Sequence, residues 1–125
     1  MKILLVDDSR TMRNIWKKVL SAMPGTECFE AGDGLEGLNA ITEQGPFDLM
    51  LVDWNMPNMD GYTMITKVRT SDKTTPIIMV TTEAEKPRII EALKAGVNNY
   101  VVKPFTPDVL LQKIEETLKK AGQLT

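Results

Sequence analysis

At 125 residues and 14.0 kDa, with 42% hydrophobic and 26% charged residues, the chain reads as one domain, 1–125, large enough to bury a real core. A formal net charge of −2 and a pI near 5.2 exclude the basic surplus of a nucleic-acid binder. The absence of histidine excludes Ser-His-Asp and Cys-His catalysis, most zinc sites and a phosphohistidine formed on this chain, and the single Cys28 excludes an internal disulfide.

The opening run, MKILLVDDSR, places two aspartates after too few apolar residues for a signal peptide. No run approaches the about 18 residues of a membrane span. With one cysteine, the expected setting is a reducing cytoplasm, without a membrane partner.

The first strand is KILLV. A helix follows, with Met12, Ile15, Trp16, Val19, Leu20 and Met23 on one face as if packed on a core, and Pro24-Gly25 stops it. ECFEA is the second strand, with Cys28 a small buried residue. Asp33 then reads as an N-cap with Glu36 three positions on, and Leu35, Leu38 and Ile41 continue that helix to Gly45-Pro46. DLMLV is the third strand, and Asp60 caps a helix through about Thr70. PIIMVT is the fourth. Pro87 suits the first turn of a helix that turns Ile89, Ile90 and Leu93 inward and ends at Gly96. NYVV is the fifth strand. Thr106, Pro107 and Asp108 open the last helix as cap, first-turn proline and first-turn acid, with Leu110, Leu111, Ile114 and Leu118 toward the core. No repeat, low-complexity tract or linker interrupts this order.

Five strands apolar almost throughout, each followed by a helix, imply a doubly wound α/β fold with a parallel sheet covered on both faces. In such sheets the ligand site lies at the carboxyl ends of the strands, where the strand order reverses. The residues at those ends are Asp7 and Asp8, Asp53, Thr81 and Thr82, and Lys103. Three carboxylates at one edge repel one another unless positive charge intervenes. Lys103 supplies one such charge, and a hard divalent cation with oxygen ligands, Mg²⁺ foremost, would supply the rest. A carboxylate beside Mg²⁺, an ammonium and a hydroxyl can attack phosphorus and form an aspartyl phosphate. Asp53, on the central strand, is the nucleophile that flanking groups can reach from both sides.

At these residues the sequence resembles the receiver domain of two-component response regulators, of the stand-alone chemotaxis type. VDD, VDWNMPNMDGY, MVTTEAEK and NYVVKPF carry the resemblance, in this order and spacing, and it spans essentially the whole chain. The resemblance, not the spacing, implies a flavodoxin-like strand order 2-1-3-4-5. It implies that Asp53 is the phosphoacceptor, and that Asp8, Asp53 and the backbone carbonyl of Asn55 ligate Mg²⁺ while Asp7 helps through a water. It further implies that Lys103 contacts the phosphoryl group, that Thr81 moves its hydroxyl toward it, and that Tyr100 then turns inward. The surface reshaped by that switch, formed by the fourth helix, fifth strand and fifth helix, would bind the flagellar motor switch protein. A chemotaxis histidine kinase would supply the phosphoryl group, a phosphatase is a further expected partner, and the chain would act as a monomer. Asn55 and Glu83 are expected to influence the water that limits the phosphoryl lifetime. The chain would catalyse its own phosphorylation and autodephosphorylation without turning over a separate substrate. The same resemblance raises the expectation of a cis Lys103–Pro104 bond.

Taken singly, these residues have plainer readings. Asp8 with Ser9 could only cap the first helix, Lys103 could be a solvated or paired charge, Thr81 a satisfied strand hydroxyl, Tyr100 a half-buried strand aromatic and Trp54 a rim aromatic. Their convergence on one edge is what makes the joint reading favoured. Thr82, where many receivers carry alanine, is expected to narrow access to the pocket, and Asn98-Asn99 stand where small residues are frequent. A phosphoester phosphatase would want a second acid two residues after the nucleophile, where Asn55 stands. An FMN binder would not put DDSRT after its first strand. A phosphorelay intermediate or phosphate sink shares every catalytic residue and differs only in its output surface. The last helix is followed only by AGQLT, so output is expected through a protein contact.

Overall fold

The computed structural model describes residues 1–122. Five strands and five helices alternate: β1 (Lys2–Val6), α1 (Arg10–Leu20), β2 (Glu27–Ala31), α2 (Gly34–Gln44), β3 (Leu49–Val52), α3 (Gly61–Val68), β4 (Ile77–Thr81), α4 (Lys86–Ala95), β5 (Asn99–Val102) and α5 (Pro107–Lys120). All strand pairs are parallel, in the order β2-β1-β3-β4-β5. The inner strands β1, β3 and β4 are buried almost completely on both faces, as their unbroken apolar runs require.

The sheet divides the interior into two layers. On one side, α2, α3 and α4 cover Leu4, Val6, Met50, Val52, Ile77 and Met79. On the other, α1 and α5 cover Ile3, Leu5, Leu49, Leu51, Ile78 and Val80. Alternate residues of each strand feed opposite layers, so a register slip of one residue would exchange the two cores.

The helix starts follow the caps read from sequence. Ser9, Asp33, Asp60 and Thr106 each accept the backbone N–H three residues on. Ser9 alone caps α1, so Asp8 is released from that duty. Gly96 ends α4 in the left-handed region at φ 113°, which a side chain would resist. Both Lys103–Pro104 and Gly45–Pro46 are cis; the second was not anticipated.

Several expectations are corrected. Ile90 and Leu93 do not face inward: they are 41% and 48% exposed, and Ala92 is the residue α4 buries fully. A small residue at the contact lets α4 rest on the sheet along a narrow stripe, so its larger apolar side chains stay outside. Ile15 is likewise exposed, one position off the buried stripe of Trp16, Val19 and Leu20, and it borders a groove between α1 and α5. Cys28 is half-buried rather than buried, whereas half-buried Leu111 does pack against the core; the plainer reading of Trp54 as a rim aromatic also falls, since it is buried. Helix α3 ends at Val68, two residues short of Thr70.

Candidate functional site

The backbone ladder continues just past the strands and carries the acids with it. Asp7 N–H donates to Ala31 O at 3.1 Å and Asp53 N–H to Val6 O at 2.9 Å, while Lys103 N–H donates to Thr81 O at 2.8 Å. Each side chain is therefore aimed by the last hydrogen bonds of the sheet, at the reversal of strand order between β1 and β3.

Asp7 and Asp53 are buried and Asp8 is exposed. One carboxylate oxygen from each lies within 4.8 Å of the others. Lys103 Nζ donates to Asp7 Oδ2 at 2.7 Å and stands 3.6 Å from Asp53 Oδ2. The remaining bonds fix the carboxylates rather than neutralise them. Ser9 N–H donates to Asp7 Oδ1 and Trp54 N–H to Asp53 Oδ1, each at 2.8 Å. Arg13 Nη1 donates to the Asp7 carbonyl while its Nε pairs with Glu30. Three carboxylates thus face one ammonium across an all-oxygen donor set open to water at Asp8. That excess of hard negative ligands fits a small divalent cation, with Asp7, Asp8 and Asp53 as the group able to hold it.

Thr81 is fully buried beneath the site, and its hydroxyl accepts a long 3.4 Å bond from Glu83 N–H. Asn55 Nδ2 donates to Glu83 Oε1 at 3.2 Å across the mouth. Tyr100 hydroxyl donates to the Glu83 carbonyl at 2.7 Å. Burial, then the charges of Glu83 and Asp53, push that phenol up to about 12. Thr82 is exposed beside these groups.

The structure therefore brings Asp7, Asp8, Asp53, Thr81 and Lys103 to one edge, and sets Asn55, Glu83 and Tyr100 on its rim. Sequence reasoning gave three neighbours no part in the site. Trp54 stacks on Tyr62, with centroids 5.4 Å apart and rings 13° from parallel, and Arg88 of α4 covers Trp54 at 5.1 Å. Trp16 lies under Lys103 at 5.7 Å, its buried indole N–H without a partner among the described residues. Asp33 reaches the loop after Asp53 through Asn58 at 2.8 Å. Aromatic identity at Trp54 and Tyr62 was a usable signal for the first; the others depend on tertiary placement.

Residues 3–115 match the family model described as the response regulator receiver domain. Among curated proteins, the chain is 49% identical over 120 residues to a chemotaxis protein CheY homolog of Campylobacter jejuni, covering 94% of this chain and 92% of that one. It is 48% identical over 124 residues to chemotaxis protein CheY of Pseudomonas aeruginosa, covering 98% and 99%. A CheY-like receiver domain structure from Methanospirillum hungatei superposes with a TM-score of 0.88 at 34% identity, over 98% of this chain and 96% of that one.

Proposed function

The chain belongs to the response regulator receiver family, and from that premise we propose that Asp53 is the residue through which it receives its signal. It is a chemotaxis response regulator of two-component signalling, and its single receiver domain spans 1–125. An Asp53 carboxylate oxygen attacks the phosphorus of a phosphohistidine on a chemotaxis histidine kinase. The P–N bond breaks, the imidazole leaves and takes up a proton from solvent, and an acyl phosphate remains on Asp53. Water later attacks phosphorus, the P–O bond to Asp53 breaks, and inorganic phosphate is released. The chain thus promotes its own phosphorylation and dephosphorylation and turns over no separate substrate.

Asp8, Asp53 and the Asn55 backbone carbonyl would hold Mg²⁺, with Asp7 assisting through a water. Bound there, it would offset phosphoryl charge that Lys103 alone cannot. Lys103 needs little movement, since its ammonium stands between Asp7 and Asp53 at 2.7 and 3.6 Å. It orients the incoming phosphoryl oxygens and stabilises charge as the bond forms. Thr81, whose hydroxyl has one long bond among the described residues, is free to turn toward a phosphoryl oxygen. Asn55 and Glu83, paired at the mouth, stand where the hydrolytic water must pass and so set the phosphoryl lifetime.

Output follows from the other end of the same contacts. Tyr100 is tied to Glu83 in the present state; movement of Thr81 shifts segment 82–85 and releases the ring to turn inward. The exposed apolar side chains Ile90 and Leu93 on α4, Val102 at the end of edge strand β5 and Val109 in α5 supply a surface for the flagellar motor switch protein. A phosphatase could end the signal from the open mouth. No helix among the described residues is long and apolar enough to cross a membrane, and we place the protein in the cytoplasm, as a monomer.

The single observation that carries this reading is the Asp7–Asp8–Asp53 group with Lys103 inside it. Intact mass after incubation with acetyl phosphate tests it, with and without Mg²⁺, on this protein and on Asp53→Asn. The expected result is one phosphoryl adduct, or continuous phosphate release if hydrolysis is fast, dependent on both Mg²⁺ and Asp53. An adduct on Asp53→Asn, or neither adduct nor release from the parent protein, would overturn it.

A further inference from the structure

Asp33 does more than start α2. It is only 6% exposed, and its two oxygens serve different elements. Oδ1 accepts Glu36 N–H at 2.8 Å, the ordinary cap bond, and Oδ2 accepts Asn58 Nδ2 at 2.8 Å, from a residue 25 positions away in the β3–α3 loop. A cap requires one acceptor; serine would supply it. The second oxygen is spent on the loop.

The neighbouring residues repeat the contact. Gly34 N–H donates to the Met59 carbonyl at 3.0 Å, and a Cβ at Gly34 would lie 2.7 Å from that oxygen. Asn58 itself sits at φ 66°, the one non-glycine residue with positive φ among the described residues. The inner end of the loop is closed as well: Gly61 N–H donates to the Trp54 carbonyl at 2.8 Å, and a Cβ at Gly61 would collide with the Asp53 carbonyl. The segment from Trp54 to Asp60 is therefore closed at its base by the Gly61–Trp54 bond, against Asp53, and tied through Asn58 and Met59 to the first turn of α2. Asn55 lies between the fastenings.

We propose that Asp33 and Asn58 are positioning residues for the magnesium site: their bond across α2 and the β3–α3 loop sets where the Asn55 carbonyl stands relative to Asp8 and Asp53. The inference rests on the magnesium reading above. A hard octahedral ion tolerates little error in its oxygen ligands, and supports outside the ligand set are worth about 10-fold or more in metal affinity.

Two variants separate this role from helix capping. Asn58→Gly keeps the left-handed backbone and removes the tie. Asp33→Ser keeps the cap and cannot also reach Asn58. Calorimetric titration with Mg²⁺ alone gives each dissociation constant, and urea denaturation gives each stability. We expect about 10-fold weaker Mg²⁺ binding in both, with the double variant no weaker than the singles because one bond is being removed twice. Unchanged affinity with lowered stability would reduce the pair to a structural cap and overturn the proposal while the metal reading stood. If Asp33→Ser fails to fold, Asn58→Gly decides alone. Absence of Mg²⁺ binding by the parent protein would bring down both readings together.

Discussion

Two segments border Asp53, and they are held very differently. Residues 54–60, after β3, are docked by Asp33–Asn58, by Gly34–Met59 and by Gly61–Trp54, at 2.8–3.0 Å. Residues 82–85, after β4, rest on one 2.7 Å bond from Tyr100, a 3.2 Å contact from Asn55 and a 3.4 Å bond to Thr81. The helices they lead into differ in the same sense. Asp60 supplies α3 with a side-chain cap, and α3 buries Met64, Ile65 and Val68; α4 has Glu85 at its cap position with no side-chain bond and buries only Ala92 completely. The molecule is firmly bonded where the proposed metal ligands stand and loosely bonded where the proposed output surface would change, as expected if moving elements come from the least stable part of a fold.

The comparison breaks hardest at Gly61. Gly61→Ala drives a methyl group into the Asp53 carbonyl in the tightly docked segment, and should cost about 3 kcal/mol in urea denaturation. A cost below about 1 kcal/mol would show that this segment yields as readily as its counterpart.

Alkaline pH probes the looser segment. The Tyr100 phenol is raised from 10.0 to about 12 in the folded state. Its contribution to stability is therefore complete below pH 10.0 and is lost as pH rises through 12, because burial and then the charges of Glu83 and Asp53 disfavour the phenolate in the folded state. Phenolate absorbance of the parent protein minus that of Tyr100→Phe should titrate near 12, with faster amide exchange in α4 above that point. Ionisation near 10 would mean that Tyr100 is not buried beside Glu83 and Asp53 as the structure has it.

The smallest effect sharpens the contrast. Glu85→Ser gives α4 the cap it lacks, and should stabilise it by about 0.5–1 kcal/mol, seen as slower exchange of its amides. If exchange is unchanged, α4 is limited by packing rather than by its end.

Most of this fold was legible because a parallel sheet has no polar face: β1, β3 and β4 appear in sequence as unbroken apolar runs ending in acid or hydroxyl. The strand order came from family resemblance and matches the observed sheet. The edge gathering of Asp7, Asp8, Asp53, Thr81 and Lys103 followed from chain direction alone, since every parallel strand ends on the same side. Ile15, Ile90 and Leu93 were misplaced for a common reason. Helical spacing identifies an apolar face but not whether anything covers it. The bond between Asp33 and Asn58 was illegible because its partners lie in separate turns, and each has an ordinary local role, as cap and as turn residue.

The ion pair between Lys103 and Asp7 spans 96 positions of the chain. Asp53 is made midway, but the ammonium beside it emerges from the ribosome only when β5 does, and β5 must then dock at the far edge of a sheet whose centre is already built. A nascent or prematurely ended chain can carry Asp53, the proposed phosphoacceptor, without the lysine. On the proposed function, receipt of the signal is thereby tied to completion of the last strand, because a fragment without it lacks the ammonium proposed to stabilise the incoming phosphoryl group.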